Sequence, residues 1–388
     1  MKKKIIHILC HSLENDSTRD YHVFRNWAAR LAKSILKYSK KYHNEVWYAI
    51  SNLDKKIKFT KDNITYKLFP AKTLHRALES YFAIVKCESL FDDLKLQNPK
   101  NTIIHFQGER GNLLHRVLSE FPQFHITIQY HGYGQPYWLE WLEKVLILPL
   151  EKKNFPHVSH FFVHIRKRVK YLKRELHIPE EKISYQNVGI DFAIFKPRNK
   201  IKARKDLNIP VDRFVLLYVG HMISSKGVDI IINAYKILKV KYPQLYLVFV
   251  GAQKTDPLYK VAAETADRLE ENLDNSILPY YYNAADVYCF FGNAKIIEYA
   301  GPGTAAMEAL ASNLNVISTN LIHFPDKIIN EIGIIPKNFD DFVKKIEFLL
   351  LNPDYKFKAR NKIALYTDYK YQTIHLLKVY DELLAKKN

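Results

Sequence analysis

Short apolar runs with the length of a β-strand alternate along the chain with segments of helical period. Residues 4–9 form the first run, and apolar side chains then recur every three or four positions from Phe24 to Leu36, before the next run at 46–50. This alternation predicts parallel β-sheets covered by helices, the α/β class. The apolar fraction of 47% is that of a globular protein and excludes a disordered, collagen-like or coiled-coil chain.

The runs fall into two series, which predict two Rossmann-like domains within the 388 residues. The first series comprises residues 4–9, 46–50, 64–69, 102–106, 126–130 and 161–164, and the second comprises 214–219, 245–250, 286–290 and 315–318. Between the two series, residues 196–205 lose the apolar period and contain one proline and six basic residues, which indicates an interdomain linker. We therefore expect domains at 1–196 and 197–369, with a C-terminal helix at 370–388 that packs back on the first.

Cysteine usage and hydropathy bear on the compartment. The three cysteines, Cys10, Cys87 and Cys289, are scattered and fit neither a disulfide framework nor a zinc site, which favours a reducing compartment. The N-terminal residues lack the cleavage site of a signal peptide, and no uncharged apolar run approaches the roughly 20 residues that span a bilayer. We therefore expect a cytoplasmic protein.

Residues 216–229 predict a strand, a loop that carries Lys226, and a helix that begins at Gly227. Helix N-terminal amides and a lysine ammonium converge on one point in such a loop, so the segment is able to hold an anion. A solvated loop lysine is the alternative interpretation.

A second loop of this kind is Gly301-Pro302-Gly303-Thr304, which opens a helix that carries Glu308. Only 12 residues of the chain are glycine, so two of them at one helix start indicate a close approach of the backbone to a ligand. The alternative is a simple glycine turn, with Glu308 as a surface acid.

Four motifs, in this order and at these separations, resemble the nucleotide-sugar domain of the family 4 retaining glycosyltransferases, the glycosyl transferases group 1. They are Asn187-Val188-Gly189-Ile190-Asp191, the Gly220 to Gly227 loop, Tyr282-Asn283-Ala284-Ala285-Asp286, and the helix with Glu308. The resemblance covers residues 181–325, and the first half of the chain matches the family only in layout. It implies the GT-B fold, in which two Rossmann-like parallel-sheet domains face each other across a cleft.

The resemblance also implies roles for individual residues. Lys226 would hold the diphosphate of a UDP- or GDP-sugar beside Gly220, and Glu308 would hold the ribose hydroxyls. The backbone amides near the phosphates would be those of Gly303, Thr304 and Ala305. A protein cation at the leaving diphosphate implies catalysis without a metal or other cofactor. His131, at the end of the strand predicted at 126–130, matches the family's histidine near the transferred sugar. A hydrogen-bonded turn histidine is its alternative role.

Two positions depart from the family pattern. His221 stands where the family usually has arginine, and it donates hydrogen bonds but is largely neutral at pH 7 unless its pKa is raised. Ala300 stands where the family has the glutamate that contacts the donor sugar. Glu298 is two residues out of register and is the candidate substitute.

Positive charge is concentrated in the first half, where residues 1–196 hold 33 Lys and Arg against 19 Asp and Glu. The helix predicted at residues 20–41 presents basic side chains on one face, which consists of Arg30, Lys33, Lys37, Lys40 and Lys41. A second basic cluster occupies residues 166–174. A solvated surface is one interpretation. Because no nucleic-acid module is present, an anionic membrane surface is the partner we expect. Trp138 and Trp141 are candidates for further contacts with it, and packing in the core is their alternative role.

Two functions from different classes remain after these observations. The first is a metal-independent, retaining glycosyltransferase that moves a hexose from a UDP- or GDP-sugar to a glycan or lipid-linked acceptor, cytoplasmic and peripheral on the inner face of the membrane. The second is a catalytically degenerate GT-B protein that binds a nucleotide or a glycan, which Ala300 and His221 motivate. A sugar-nucleotide epimerase of similar architecture lacks support, because the four motifs are those of transferases.

Overall fold

The structure is a computed structural model. It describes residues 3–9, 26–51, 53–73, 85–109, 111–130, 145, 147–187, 189–271, 273–274, 276–292, 303–321 and 323–385. The chain divides into two compact units, the first formed by Met1–Asn187 with Gln372–Asn388 and the second by Val188–Tyr371. The boundary follows Asn187, whereas the sequence analysis put it after Lys196. Residues 189–196 belong to the second unit because Ile190 pairs there with Asp368 in an isolated β-bridge.

The described part of the first unit contains one sheet of nine strands. Its strands are β1 (Lys3–Leu9), β2 (Tyr42–Ser51), β3 (Ile57–Lys61), β4 (Ile64–Thr73), β5 (Val85–Lys86), β6 (Thr102–Gln107), β7 (His125–Tyr130), β8 (His160–Val163) and β9 (Ile183–Tyr185). The order is β3-β4-β2-β1-β6-β7-β8-β9, with β5 paired to β4. All pairs are parallel except those of β3 and β5 with β4.

Helices cover both faces of this sheet. They are α1 (Trp27–Tyr38), α2 (Glu88–Lys95), α3 (Asn112–Glu120), α4 (Leu148–Asn154) and α5 (Arg166–Arg174). Strand β1 is buried on both sides, because Ile6 and Ile8 join one apolar cluster and Ile5 joins another. A strand covered on both faces is a continuous apolar run, which is why the sequence revealed it so clearly.

The second unit contains a five-stranded parallel sheet in the order β12-β11-β10-β13-β14 among its described residues. The strands are β10 (Phe214–Val219), β11 (Leu245–Ala252), β12 (Arg268–Glu271), β13 (Val287–Phe290) and β14 (Asn315–Ser318). The helices of this unit are α6 (Lys200–Asp206), α7 (Val228–Lys241), α8 (Tyr259–Thr265), α9 (Leu278–Ala284), α10 (Gly303–Ala311), α11 (Asp326–Ile332), α12 (Phe339–Leu351) and α13 (Arg360–Thr367). The last helix, α14 (Tyr369–Ala385), packs Leu376 and Tyr380 against Ile5 and Phe162 of the first unit's core.

The linker predicted at residues 196–205 is wrong, because helix α6 begins within it. The Asn199 side chain caps this helix by accepting a hydrogen bond from the Lys202 amide at 2.8 Å. Arg204 is buried, and its guanidinium donates to the Asp286 carboxylate at 2.6 Å. A run of basic residues was misleading here because Arg204 serves the core through a buried ion pair.

Helix α1 ends earlier than the helix predicted at residues 20–41, because its last residue is Tyr38. The described helix begins at Trp27, and the Asn26 side chain caps it by accepting from the Ala29 amide at 3.1 Å. Residues 10–25 lie outside the described residues, so the predicted start near Asp20 has no counterpart to compare.

Candidate active site

The carboxyl edge of the second sheet has the geometry of a ligand site. Strand β10 lies at the centre, and the chain leaves it for β11 on one side and later returns to β13 on the other. In an open parallel sheet, such a reversal of direction opens a crevice beyond the carboxyl ends of the strands. The loops after β10, β11 and β13 therefore surround the predicted anion site.

Gly227 brings the loop after β10 against the backbone that follows β13. Its φ of 76° lies in the left-handed region, and a Cβ there would stand 1.9 Å from the carbonyl oxygen of Phe291. Only glycine fits without a shift of backbone. This contact fixes where helix α7 begins, and the amides of its first turn have no side-chain cap.

Lys226 ends a 3₁₀ turn, Ser224–Lys226, directly before that helix. Its Nζ lies 3.6 Å from the point that a Cβ on Gly220 would occupy, so the ammonium lies close to the Gly220 backbone. Burial lowers the pKa of Lys226, and the nearby Asp256 carboxylate opposes that shift. A partly desolvated ammonium gains more from an incoming anion than an exposed one does.

His221 lies earlier in the same loop after β10 and contacts the loop after β11. Its Nδ1 is 3.0 Å from Oδ1 of Asp256, and the Met222 amide donates to Oδ2 of the same carboxylate at 2.9 Å. The Leu258 amide donates in turn to the Met222 carbonyl at 3.0 Å. Three hydrogen bonds therefore join the loops after β10 and β11 beside Lys226.

Glu308 lies on α10, where a buried tyrosine holds it. The hydroxyl of Tyr282, which is 1% exposed, donates to Oε2 of Glu308 at 2.8 Å. Burial raises the pKa of Tyr282 well above its usual range, with a further contribution from the Glu308 carboxylate, so the phenol remains a neutral donor. One carboxylate oxygen is thus oriented by the protein.

Gly303, Thr304 and Ala305 are the first residues of α10. Gly303 has a φ of 64°, and no described atom lies within 4 Å of the point its Cβ would occupy. Gly303 is exposed, Thr304 half-buried and Ala305 buried. The described residues therefore leave room for a ligand at this helix start, as the predicted contact between these amides and the phosphates requires.

The structure links the two groups of predicted residues through buried tyrosines. The loop after β10 contains Gly220, His221 and Lys226. The hydroxyl of Tyr218, on β10, donates to the His221 carbonyl of this loop at 2.9 Å. Burial raises the pKa of Tyr288 on β13 well above its usual range, and the nearby Tyr218 and Glu308 contribute to the same shift. His131 and Glu298, and the departure at Ala300, lie outside the described residues.

Two contributors to the site were missed by the sequence analysis. The sequence analysis assigned no role to Asp256. Its position was the available signal, because it is a charged residue beyond the carboxyl end of a strand next to β10. Tyr282 was noted only as part of a motif, since its hydrogen bond to Glu308 depends on how α9 and α10 pack.

Other parts of the motifs serve the fold rather than the ligand site. Asp286 precedes β13 and accepts hydrogen bonds from Lys200 at 2.6 Å and from the Val215 amide at 2.7 Å, in addition to its pair with Arg204. A Cβ on Gly189 would lie 2.1 Å from the Tyr369 ring. The first motif therefore needs glycine for close packing.

The basic residues predicted to share one helical face are divided, because Lys40 and Lys41 lie beyond the end of α1 at Tyr38, and some of these charges have acidic neighbours. Lys33 lies 3.9 Å from Asp62, and Lys41 pairs with Asp381. The Arg30 guanidinium stacks over the Trp27 ring at 5.3 Å. Fewer charges of this face are available to a partner than the sequence predicted.

The second basic cluster forms helix α5, which contacts α4 through a hydrogen bond from Tyr171 to Glu151 at 2.7 Å. Lys170 and Arg174 are exposed, and so are Lys152, Lys153 and Leu150 on α4. The two helices thus form a basic surface with an apolar side chain, which we call the α4–α5 surface.

The described residues contain neither a cluster of metal ligands nor a membrane-spanning helix. No three His, Cys, Asp or Glu side chains are grouped there so as to hold a metal ion. In the same part of the chain, no helix is both long enough and apolar enough to cross a membrane.

The second unit is similar to known glycosyltransferases. Residues 199–367 match the family described as glycosyl transferases group 1. An uncharacterized glycosyltransferase of Haemophilus influenzae is 24% identical over 180 residues, which cover 44% of this chain and 47% of that protein. The capsular polysaccharide biosynthesis glycosyltransferase CapM of Staphylococcus aureus is 27% identical over 169 residues, covering 42% and 43%. The chain thus spans less than half the length of these curated relatives.

Solved structures extend the likeness to the whole chain. Sucrose-phosphate synthase of Thermosynechococcus elongatus superimposes with a TM-score of 0.71 at 18% identity, covering 99% of both chains. HepE of Anabaena, solved with UDP and glucose, has a TM-score of 0.65 at 13% identity, covering 98% of this chain and 100% of its own. The fold is that of the GT-B glycosyltransferases. The family match over residues 199–367 and the glycosyltransferases among the relatives support a transferase.

Proposed function

We propose that this protein is a retaining glycosyltransferase of family 4 that transfers a hexose from a UDP- or GDP-sugar to a glycan or lipid-linked acceptor. The observation that carries the proposal is the position of Lys226, partly desolvated against Gly220 at the start of an uncapped helix. The domain match and the UDP in the HepE structure support a nucleotide-sugar donor.

In the proposed reaction, an acceptor hydroxyl oxygen bonds to the anomeric carbon while the bond from that carbon to the diphosphate oxygen breaks. The nucleoside diphosphate leaves with the electron pair, and the acceptor releases one proton. Negative charge develops on the diphosphate, where the Lys226 ammonium and the first amides of α7 stabilise it. A protein cation at this point supports transfer without a metal or other cofactor.

Donor recognition is shared between the two helix starts. Glu308 accepts hydrogen bonds from the ribose hydroxyls through a carboxylate that Tyr282 orients. The amides of Gly303, Thr304 and Ala305 lie near the phosphates. His131 contacts the transferred sugar, and Glu298 substitutes for the carboxylate absent at Ala300; both roles rest on the sequence resemblance.

Acceptor-dependent release of nucleotide tests this function. Purified protein is incubated with each UDP- and GDP-hexose in turn, with and without lipid-linked and soluble glycan acceptors, and free UDP or GDP is measured. The transferase releases nucleotide faster when its acceptor is present. Nucleotide binding without acceptor-dependent release would instead favour the degenerate binding protein, which the loss of the usual arginine and glutamate at His221 and Ala300 motivates.

For the location, we propose a cytoplasmic protein that binds reversibly to anionic membranes through the α4–α5 surface. Basic residues near an anionic bilayer contribute about 1 kcal/mol each, and this attraction weakens as salt shortens the Debye length. Co-sedimentation with phosphatidylserine liposomes at low and high salt tests it. Reversing charge in K170E/R174E should abolish binding, whereas K236E/K260E, a matched reversal on the second unit, should retain it. Equal binding of the two variants would show that the α4–α5 surface does not bind the membrane.

A further inference from the structure

Asp256 is an ionised, almost buried carboxylate whose oxygens are both engaged. Its side chain is 7% exposed, and Oδ2 accepts from the amides of Met222 and Gln253, each at 2.9 Å. Although burial disfavours the charged form, these two amides and His221 lower the pKa of Asp256. The group facing Nδ1 of His221 is therefore a carboxylate, which accepts hydrogen bonds and donates none.

This partner determines which nitrogen of His221 carries hydrogen. Nδ1 lies 3.0 Å from Oδ1 of Asp256, so Nδ1 donates that bond. A neutral imidazole has a single N–H, and with the hydrogen on Nδ1, Nε2 presents a lone pair. A lone pair repels a phosphate oxygen, and only the protonated ring donates from Nε2 as the guanidinium of an arginine would.

His221 lies in the loop that holds the donor diphosphate in the proposed function. Its side chain is 48% exposed, and Lys226 follows in the same loop after β10. Asp256 from the loop after β11 faces Nδ1 of His221 and is also the carboxylate near Lys226, and the Tyr218 hydroxyl donates to the His221 carbonyl.

We propose that Asp256 is a positioning residue that holds His221 in the Nδ1–H form, so that binding of a nucleoside diphosphate takes up a proton at Nε2 of His221. The proton comes from solvent, and no covalent bond changes. This inference deepens the proposed function and rests on it, since the anion is the diphosphate of the donor.

The first test needs no ligand. Nitrogen-15 NMR of histidine-labelled protein at pH 8 reports which ring nitrogen carries hydrogen, and the spectrum of H221Q identifies the His221 signals. Wild type should show the Nδ1–H form. In D256N the amide oxygen is needed by the two backbone amides, so the amide nitrogen faces Nδ1 and the ring should change to the Nε2–H form.

A matched variant separates this effect from the general loss of a hydrogen-bonded carboxylate. Asp267 accepts from the Leu247 amide at 2.8 Å and from the Tyr235 hydroxyl at 2.6 Å in the same unit. D267N should therefore leave the His221 signals in the Nδ1–H form. An Nε2–H form in wild type would overturn the inference, whatever the variants show.

The second test measures proton uptake when UDP or GDP binds. Isothermal titration at pH 8 in two buffers of different ionisation enthalpy gives the number of protons taken up per nucleotide. Uptake should fall by up to about one proton from wild type to H221Q, while D267N keeps the wild-type value. The comparison with H221Q isolates His221, because Lys226 remains in both proteins.

The outcomes of the titration distinguish failure of the proton-uptake inference from failure of the proposed function. Nucleotide binding with equal proton uptake in wild type and H221Q would overturn this inference and leave the proposed function intact. Failure of wild type to bind either nucleotide would overturn the proposed function, and with it the proton uptake.

Discussion

Replacing Gly227 by alanine should displace the loop that carries Lys226. The new Cβ would lie 1.9 Å from the Phe291 carbonyl oxygen, so backbone must move. Gly251 offers a matched control, because its φ of 87° resembles the 76° of Gly227, while its Cβ would meet nothing nearer than the Gly220 backbone at 3.6 Å.

The two variants share the conformational cost and differ in the clash. Alanine in the left-handed region costs about 1–2 kcal/mol, and the lost freedom of the unfolded chain returns about 0.4–1 kcal/mol. G251A should therefore lower the free energy of unfolding by roughly 1 kcal/mol. Forcing an extra carbon into a packed site adds about 1–3 kcal/mol for G227A.

Differential scanning calorimetry measures the difference. For a unit of this size each 1 kcal/mol lowers the unfolding temperature by about 2–4 °C, so G227A should unfold roughly 2–12 °C below G251A. The nucleotide affinity of G227A should also fall. Equal unfolding temperatures for the two variants would refute the close approach of the loop after β10 to Phe291.

Three further outcomes follow from the site. K226A should lower kcat by about 10²–10³-fold with little change in unfolding temperature, because the ammonium acts on charge that develops in the transition state. Steady-state kinetics equal to those of wild type would show that Lys226 takes no part in the reaction. Nucleotide affinity should decline as pH rises through the lowered pKa of Lys226, since only the ammonium attracts the anion, and K226R should move that decline to higher pH in titration calorimetry. E308A should raise the nucleotide Kd by about 10- to 150-fold, from the loss of hydrogen bonds of about 1.5–3 kcal/mol to a charged group, and an unchanged Kd would contradict the ribose contact.

Buried parallel strands were the most predictable part of the fold. The sequence predicted 214–219 and 315–318, and β10 and β14 have those bounds, because strands covered on both faces are uninterrupted apolar runs. Strand β12, with the sequence Arg-Leu-Glu-Glu, went unnoticed at the edge of its sheet since it lacks such a run. Local apolar pattern therefore reveals fully buried strands, β14 at the other edge included, better than a half-buried strand such as β12.

The sequence offers a candidate site where glycine and lysine stand close together in the chain. Gly220, Lys226 and Gly227 belong to the one loop after β10, so their spacing fits an anion loop, with a solvated lysine as the alternative that only the family resemblance disfavours. Asp256 escaped notice because its contact with His221 joins residues 35 positions apart, and only the pairing of β10 with β11 brings them together. Arg204 was misjudged for the same reason, since its partner Asp286 is 82 positions away.

Nucleotide binding measured by thermal shift tests the central claim most directly, because a ligand that binds only the native state raises its stability. At about 100 times Kd the stabilisation is about 2.7 kcal/mol, which amounts to several degrees in unfolding temperature. The account predicts that UDP or GDP raises the unfolding temperature of wild type and raises that of E308A less at the same concentration. No shift with either nucleotide at millimolar concentration would contradict a nucleotide-sugar site beyond β10 and β13.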